Sequence, residues 1–346
     1  MVGDVVVIAP RGLGGTTAGV PVSRLRMSIH VACVMGALLL SHGAQAIPAV
    51  GPLEAAVLLQ VPEHLDAAAT TWINAEVTAC RDRGHDDDTC RVRGLIAWSY
   101  RGDPQARRLA VGLFDDFGTV AGVLPEQDFD GAYRGTLHFV PRWPMGPHRL
   151  QLSMTATALR NLDAFFAELE RRSKRAITFR WRPLRLRFFE SVKRRTPSAI
   201  ATKWMIAHNV KGSMFRDDDA TLGTYAHELF HLNDEERGWW SKEALKGVFE
   251  RIVARCGTDT ACLKPYAPDT IIVRGAGGTY YAFMPGNGVS EYAADVAKRW
   301  VTEHRALVAG RGPTLPWRCQ TMENREAWTT IIEAFFSGVD LLPPCP

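Results

Sequence analysis

The chain has 346 residues, enough for one large or two ordinary domains with a substantial core. Hydrophobic residues at 46% and charged residues at 23% exclude wholesale disorder, and 30 glycines with 20 prolines exclude fibrous and low-complexity classes. A net charge of +4 is too small to argue for nucleic acid, and only one N-terminal apolar run approaches a membrane span.

That run is better read as an export signal. Arg24 and Arg26 precede an apolar stretch at 31–40, and Ala44-Gln45-Ala46 supplies the small residues of an A-x-A cleavage site. The layout is that of a secretory signal peptide over residues 1–46, with Met27 read as the true start. Cleavage after Ala46 removes three arginines and one acid, leaving 38 basic and 36 acidic side chains. The mature protein is therefore expected in the periplasm or outside the cell, with no membrane span and no nucleic-acid partner.

Export changes how the cysteines read. Cys33 lies in the leader, and six remain: Cys80, Cys90, Cys256, Cys262, Cys319 and Cys345. An even number in an oxidising compartment points to disulfides, and the six fall into three sequence-local pairs, 80–90, 256–262 and 319–345. The rival reading, a cysteine zinc site, lacks any C-x-x-C spacing.

Residues 47–75 have helical texture, with Leu53, Ala56, Val57 and Leu59 followed by a second stretch around 72–77. Between 93 and 141 short β-like runs are expected at 94–100, 109–114, 120–124 and 136–140, separated by Gly, Pro and Asp clusters. Helical spacing returns over 154–172, where Leu159, Leu162, Phe165, Phe166 and Leu169 share a stripe. Residues 171–195 hold eleven Lys/Arg and one acid, Glu190. Ile177, Phe179 and Trp181 alternate with polar residues, and the parity flips after Pro183 to Leu184, Leu186 and Phe188, as at a strand break. This segment reads as a strand pair with a solvated cationic face, the alternative being a docking face for an anionic polymer. A soft boundary near Pro197 separates an α+β portion of unassigned role, 47–196, from the portion that carries the chemistry, 197–346.

The informative motif is His227-Glu228-Leu229-Phe230-His231. Two histidines at i and i+4 project from one side of a helix and can reach one ion, and Glu228 then lies beside the ion's open position. Asp217, Asp218 and Asp219 precede it, where carboxylates cap free N–H groups. Tyr225, Ala226, Leu229, Phe230 and Leu232 are uncharged, as a buried helix requires. The expected helix covers 221–234.

Zinc needs a third protein ligand. No histidine follows closely, and Glu235, four residues after His231, would place three ligands along a line. Glu291 is the better candidate. It shares a face with Asp295, about 40° apart on a helix opened by Ser290. Glu291 can bind the ion while Asp295 accepts the N–H of a ligand histidine. Ala293 and Ala294 permit close approach of another helix. His304, thirteen residues beyond Glu291, is rotated by about 220° and points away.

His227-x-x-x-His231 followed by Glu291-x-x-x-Asp295 resembles the gluzincin metallopeptidases, the class of thermolysin and neprilysin, over about residues 200–300. Fifty-nine residues separate His231 from Glu291, closer to the neprilysin-like spacing. The resemblance implies a zincin-like portion whose active-site helix lies under a small mixed sheet. Residues 207–219 loosely resemble the edge strand that such enzymes pair with extended substrate, which would let backbone groups near 207–211 hold peptide and make Ala207 and Asn209 peptide-binding residues. Asn233 departs from the pattern, since zincins usually carry an apolar residue there. A tetrahedral oxyanion needs a donor, and Tyr280 or Tyr281, flanking with Arg274 a glycine-rich turn, is placed to supply it.

The sequence thus leads to an exported α+β zinc metallopeptidase acting on peptide or protein, with Glu228 as general base. The alternatives are an exported binding protein with a zinc-stapled site and a zinc amidase acting on cell-wall material.

Overall fold

A computed structural model describes residues 47–131, 135–273 and 278–346. The leader expected at 1–46, and Arg274 with its adjoining glycines 275 and 277, lie outside these. The fold is α+β, 53% helix and 12% strand, with a curled sheet.

Residues 47–117 contain four helices, α1 (Pro52–Leu58), α2 (Ala67–Arg81), α3 (Asp87–Ser99) and α4 (Pro104–Phe117). The β-like runs expected at 94–100 and 109–114 are therefore helical, inside α3 and α4. Short apolar runs do not separate strand from buried helix, and here the caps decide. Asp86 and Asp103 each accept N–H groups of the following first turn, and Pro104 opens α4 at a position where its missing donor costs nothing. Ala106, Ala110, Leu113 and Phe117 then form one buried stripe, and Gly118 (φ 64°) closes the helix.

The strands expected at 120–124 and 136–140 are present as β1 (Val120–Val123) and β3 (Thr136–Pro141), with β2 (Gln127–Asp130) hairpinned to β3. The long helix α5 (Arg149–Ser173) buries Leu159, Leu162, Phe165, Phe166 and Leu169, as the spacing requires. Then come β4 (Arg185–Ser191), β5 (Ala199–Thr202) and β6 (Met205–Asn209). The six strands make one mixed sheet, five of them in the order β2-β3-β4-β6-β5 and β1 paired with β4 off that path. β6 covers one edge of β4, while β1 (parallel) and β3 (antiparallel) divide the other.

The alternation at 177–181 does not make a strand. Ile177 and Phe179 are buried, but the backbone of Arg180 pairs with the side chain of Asn233: its N–H donates to Oδ1 at 3.0 Å, and its carbonyl accepts from Nδ2 at 2.8 Å. The departure at Asn233 therefore has a structural use, since its amide stands in for a neighbouring strand. Much of the basic charge in this segment meets acids: Arg171 and Arg172 with Glu168, Arg182 with Asp163, Arg185 with Glu54, Arg180 with Glu236.

The C-terminal half adds α6 (Asp218–Glu236), α7 (Ser241–Ala244), α8 (Lys246–Cys256), α9 (Thr260–Leu263), the short β7 (Ile272–Val273) and β8 (Thr279–Tyr280), α10 (Val289–Val308) and α11 (Met322–Phe335). One main cluster of buried apolar side chains runs from Ile47 to Leu342. Residues on both sides of Pro197 share this core and one sheet. The three sequence-local cysteine pairs sit at disulfide distance, with Cα separations of 5.4 Å for 80–90 and 256–262 and 5.2 Å for 319–345. Among the described residues no helix is long and apolar enough to cross a membrane.

Candidate metal centre

Helix α6 begins at Asp218, with Asp217 as its cap: the Asp217 carboxylate accepts the Ala220 N–H at 2.7 Å. Every residue from Thr221 to Asp234 is buried, so the helix has no solvent face over that length. It lies between α5 and α10 and also packs on β5. A polar side chain here loses its hydration and must find a partner inside the protein.

His227 and His231 find theirs on α10, which starts at Val289 after Gly288. Ser290 lies within its first turn and does not cap it. Ala293 and Ala294 are fully buried where α10 faces its neighbours. Three ligand atoms converge. His227 Nε2 lies 3.1 Å from His231 Nε2 and 3.1 Å from Glu291 Oε2, and His231 Nε2 lies 3.5 Å from the same oxygen. A tetrahedral ion bonded at about 2.0–2.1 Å holds neighbouring ligands about 3.3–3.4 Å apart, so this triangle has the size a divalent ion requires. Among the described residues it is the one His/Cys/Asp/Glu group that could hold a metal.

The surroundings fit the same ion. Asp295 Oδ1 accepts the Nδ1–H of His227 at 2.9 Å, which leaves Nε2 turned toward His231 and Glu291. Burial opposes charge on His227, but the carboxylates of Asp295 and Glu291 outweigh it and hold its pKa up to about 10. Glu291, Asp295 and Glu228 are all at most 4% exposed. Three buried carboxylates in one cluster call for cationic compensation.

The two glutamates differ in environment. Burial pushes Glu291 up, yet the imidazoles of His231 and His227 outweigh it and hold it down to about 2. Burial of Glu228 is only partly offset by the same imidazoles, and it is pushed up to about 7. Its Oε2 is buried with no hydrogen-bond partner among the described residues. The two carboxylates thus differ in what surrounds them, Glu291 beside both imidazoles and Glu228 with an oxygen that has no partner among the described residues.

The structure brings His227, His231, Glu291, Asp295, Glu228 and Tyr281 together. The Tyr281 hydroxyl donates to Glu291 Oε2 at 3.0 Å, and its ring lies 5.9 Å from that of His227. Tyr280 packs against the main core instead. Ala207 and Asn209 are not on an edge: β6 is paired with β4 on one side and β5 on the other, leaving β5 outermost. The Asn209 side chain is spent locally, on Pro197 O and Lys211 N–H. Peptide addition to β6 has no free ladder to use, a correction to the edge-strand expectation. Glu235 holds the turn before β6, accepting from Thr202 Oγ1 and Lys203 N–H. His304 bonds Trp300 O and Leu341 N–H, away from the cluster.

Sequence reading missed part of the cavity beside Glu228. Besides the cluster it is lined by Met214, Thr224, Asp269, Ile271 and Lys298. Lys298 was findable, since it extends the Glu291–Asp295 face by one turn; Asp269 carried no local signal. No family model, curated protein or solved structure matches the chain.

Proposed function

We propose that the protein is an exported zinc metallopeptidase of gluzincin type, with His227, His231 and Glu291 as ligands and Glu228 as general base. The observation that supports it most is the triangle of ligand atoms 3.1–3.5 Å apart beside a buried carboxylate that lacks a partner. A metal without such a neighbour would be a staple; the pairing is what suits hydrolysis.

Zinc held by such a set supplies Lewis acidity toward water and toward a peptide carbonyl. The chain's own groups do the rest. Glu228, buried and with its pKa pushed up to about 7, takes a proton from the attacking water and hands it to the departing amine. Asp295 fixes the ring of His227 by its hydrogen bond. The Tyr281 hydroxyl, which donates to Glu291 Oε2 at 3.0 Å, would turn from that bond to steady charge on a tetrahedral oxygen.

The test is metal analysis of the purified protein together with peptide hydrolysis. Glu228→Ala keeps the metal and loses activity by several powers of ten, whereas Glu291→Ala loses metal. Activity that survives in Glu228→Ala removes it as base, and unchanged zinc in Glu291→Ala removes the third ligand. A second reading is favoured by the burial of the ligands, 2–5% exposed: a metal that only staples α6 to α10. It predicts full metal content with no hydrolysis of any peptide.

A further inference from the structure

The cavity beside Glu228 contains an ion pair that the chemistry above does not use. Asp269, from the loop before β7, and Lys298, on α10 one turn beyond Asp295, meet on its wall. Their side chains are only 18% and 16% exposed. Withdrawing such a pair from water is rarely repaid in full by its own attraction, so a contribution to stability is a weak reason for its presence. The fold also leaves room for it. Gly223 lies on α6 where the Lys298 stem crosses, and a Cβ there would stand 3.1 Å from Lys298 Cε.

The two partners are unequally satisfied. Asp269 Oδ1 accepts the Thr270 N–H at 2.6 Å and Oδ2 accepts from Lys298, so each oxygen has a donor. The ammonium carries three donors, and Asp269 takes one of them. Met214, Ile271 and the Tyr281 ring make the adjoining walls apolar. Glu228, Asp269 and Asp295 all face the cavity, and among the described residues Lys298 is the one ammonium or guanidinium on its wall. A hydrogen bond from a shielded ammonium is strongest to an anionic acceptor.

We propose that Lys298 is a specificity-determining residue that receives a carboxylate of the substrate, with Asp269 holding the ammonium in place. The carboxylate comes from an acidic side chain near the scissile bond or from the substrate's own C-terminus. The proposal rests on the peptidase reading and gives it a substrate class.

The experiment uses the zinc-loaded protein and matched fluorescent peptides: Glu against Gln on either side of the cleavage site, and free against amidated C-termini. The wild type favours the carboxylate member of one pair by about tenfold or more. The pair that responds identifies the source. Lys298→Met levels the two members, and Lys298→Arg restores most of the preference. Circular dichroism and melting temperature check the fold; if Lys298→Met does not fold, Lys298→Gln replaces it. Hydrolysis with the same carboxylate-to-amide ratio in wild type and variant overturns the proposal and leaves the peptidase reading standing. If no peptide is cleaved, the peptidase reading fails, and fluorescence anisotropy of the same peptides decides the proposal. Weaker binding of the carboxylate member alone in Lys298→Met supports it, and equal binding overturns it.

Discussion

His227 Nδ1 and Asp295 Oδ1 lie 2.9 Å apart across the interface of α6 and α10, between residues 68 positions apart in the chain. This one hydrogen bond orients the ring that carries a nitrogen of the candidate metal group, and it ties together the two helices whose side chains form the cluster. Asp295→Ala is therefore expected to weaken zinc binding by about 10–100-fold. Competition against a chromophoric chelator measures it. An unchanged affinity would mean that the ring is held by packing alone.

Metal removal should lower stability, because the ligands converge only in the folded chain. With free zinc at about a hundred times its Kd the expected loss is about 3 kcal/mol. For a chain of this size that is a fall in Tm of about 5 °C, read by calorimetry before and after chelation. Glu291→Ala should show a much smaller difference.

Glu228 burdens the metal-free fold. Its carboxylate is 1% exposed, with Oε2 unpartnered. Replacement by glutamine removes a buried charge and should stabilise the metal-free protein by about 1–2 kcal/mol while abolishing catalysis. Denaturant midpoints of the two chelated proteins decide it; a less stable variant would show that the charge is compensated.

Asp103 supplies a pH dependence remote from the metal. Burial raises its pKa, but the N–H groups of Ala106 and Gly146 and the Arg149 guanidinium outweigh it and hold it down to about 2. A depressed carboxyl adds stability that is complete above its unfolded value of about 3.9 and fades as pH falls toward 2. Wild type should lose stability over that window, and Asp103→Asn should lose less. At pH 7 the variant should be about 1–2 kcal/mol less stable, since asparagine can keep the helix cap but loses the ion pair with Arg149 and the bond from the Gly146 N–H.

The 319–345 disulfide closes a 26-residue loop around the C-terminal tail. Replacing both cysteines by alanine should cost about 3 kcal/mol, seen as a lower denaturant midpoint. Leu341, whose N–H donates to His304 Nε2, should lose hydrogen-exchange protection first.

Local geometry was legible in the residues. Histidines four apart share a helix face whatever surrounds them, and so do Glu291 and Asp295, which is why the ligand set could be named before any contact was known. The cysteine pairs were legible because they close short loops, and α5 because its stripe runs for many turns. Short segments were not. Residues 94–100 and 109–114 read as strands because a few apolar residues fit either period, and the deciding groups, the carboxylates of Asp86 and Asp103, lay outside those runs. The pairing of β6 on both sides was hidden because strand order depends on partners distant in sequence. The sequence alone determined which side chains can present donors to one ion, since that follows from the pitch of a helix. Only the tertiary structure decided that Glu291 meets the two imidazoles, that Asp269 meets Lys298, and that Asn233 binds the chain at Arg180. Each of those contacts closes a long loop, and its position is set by how helices and sheet pack together.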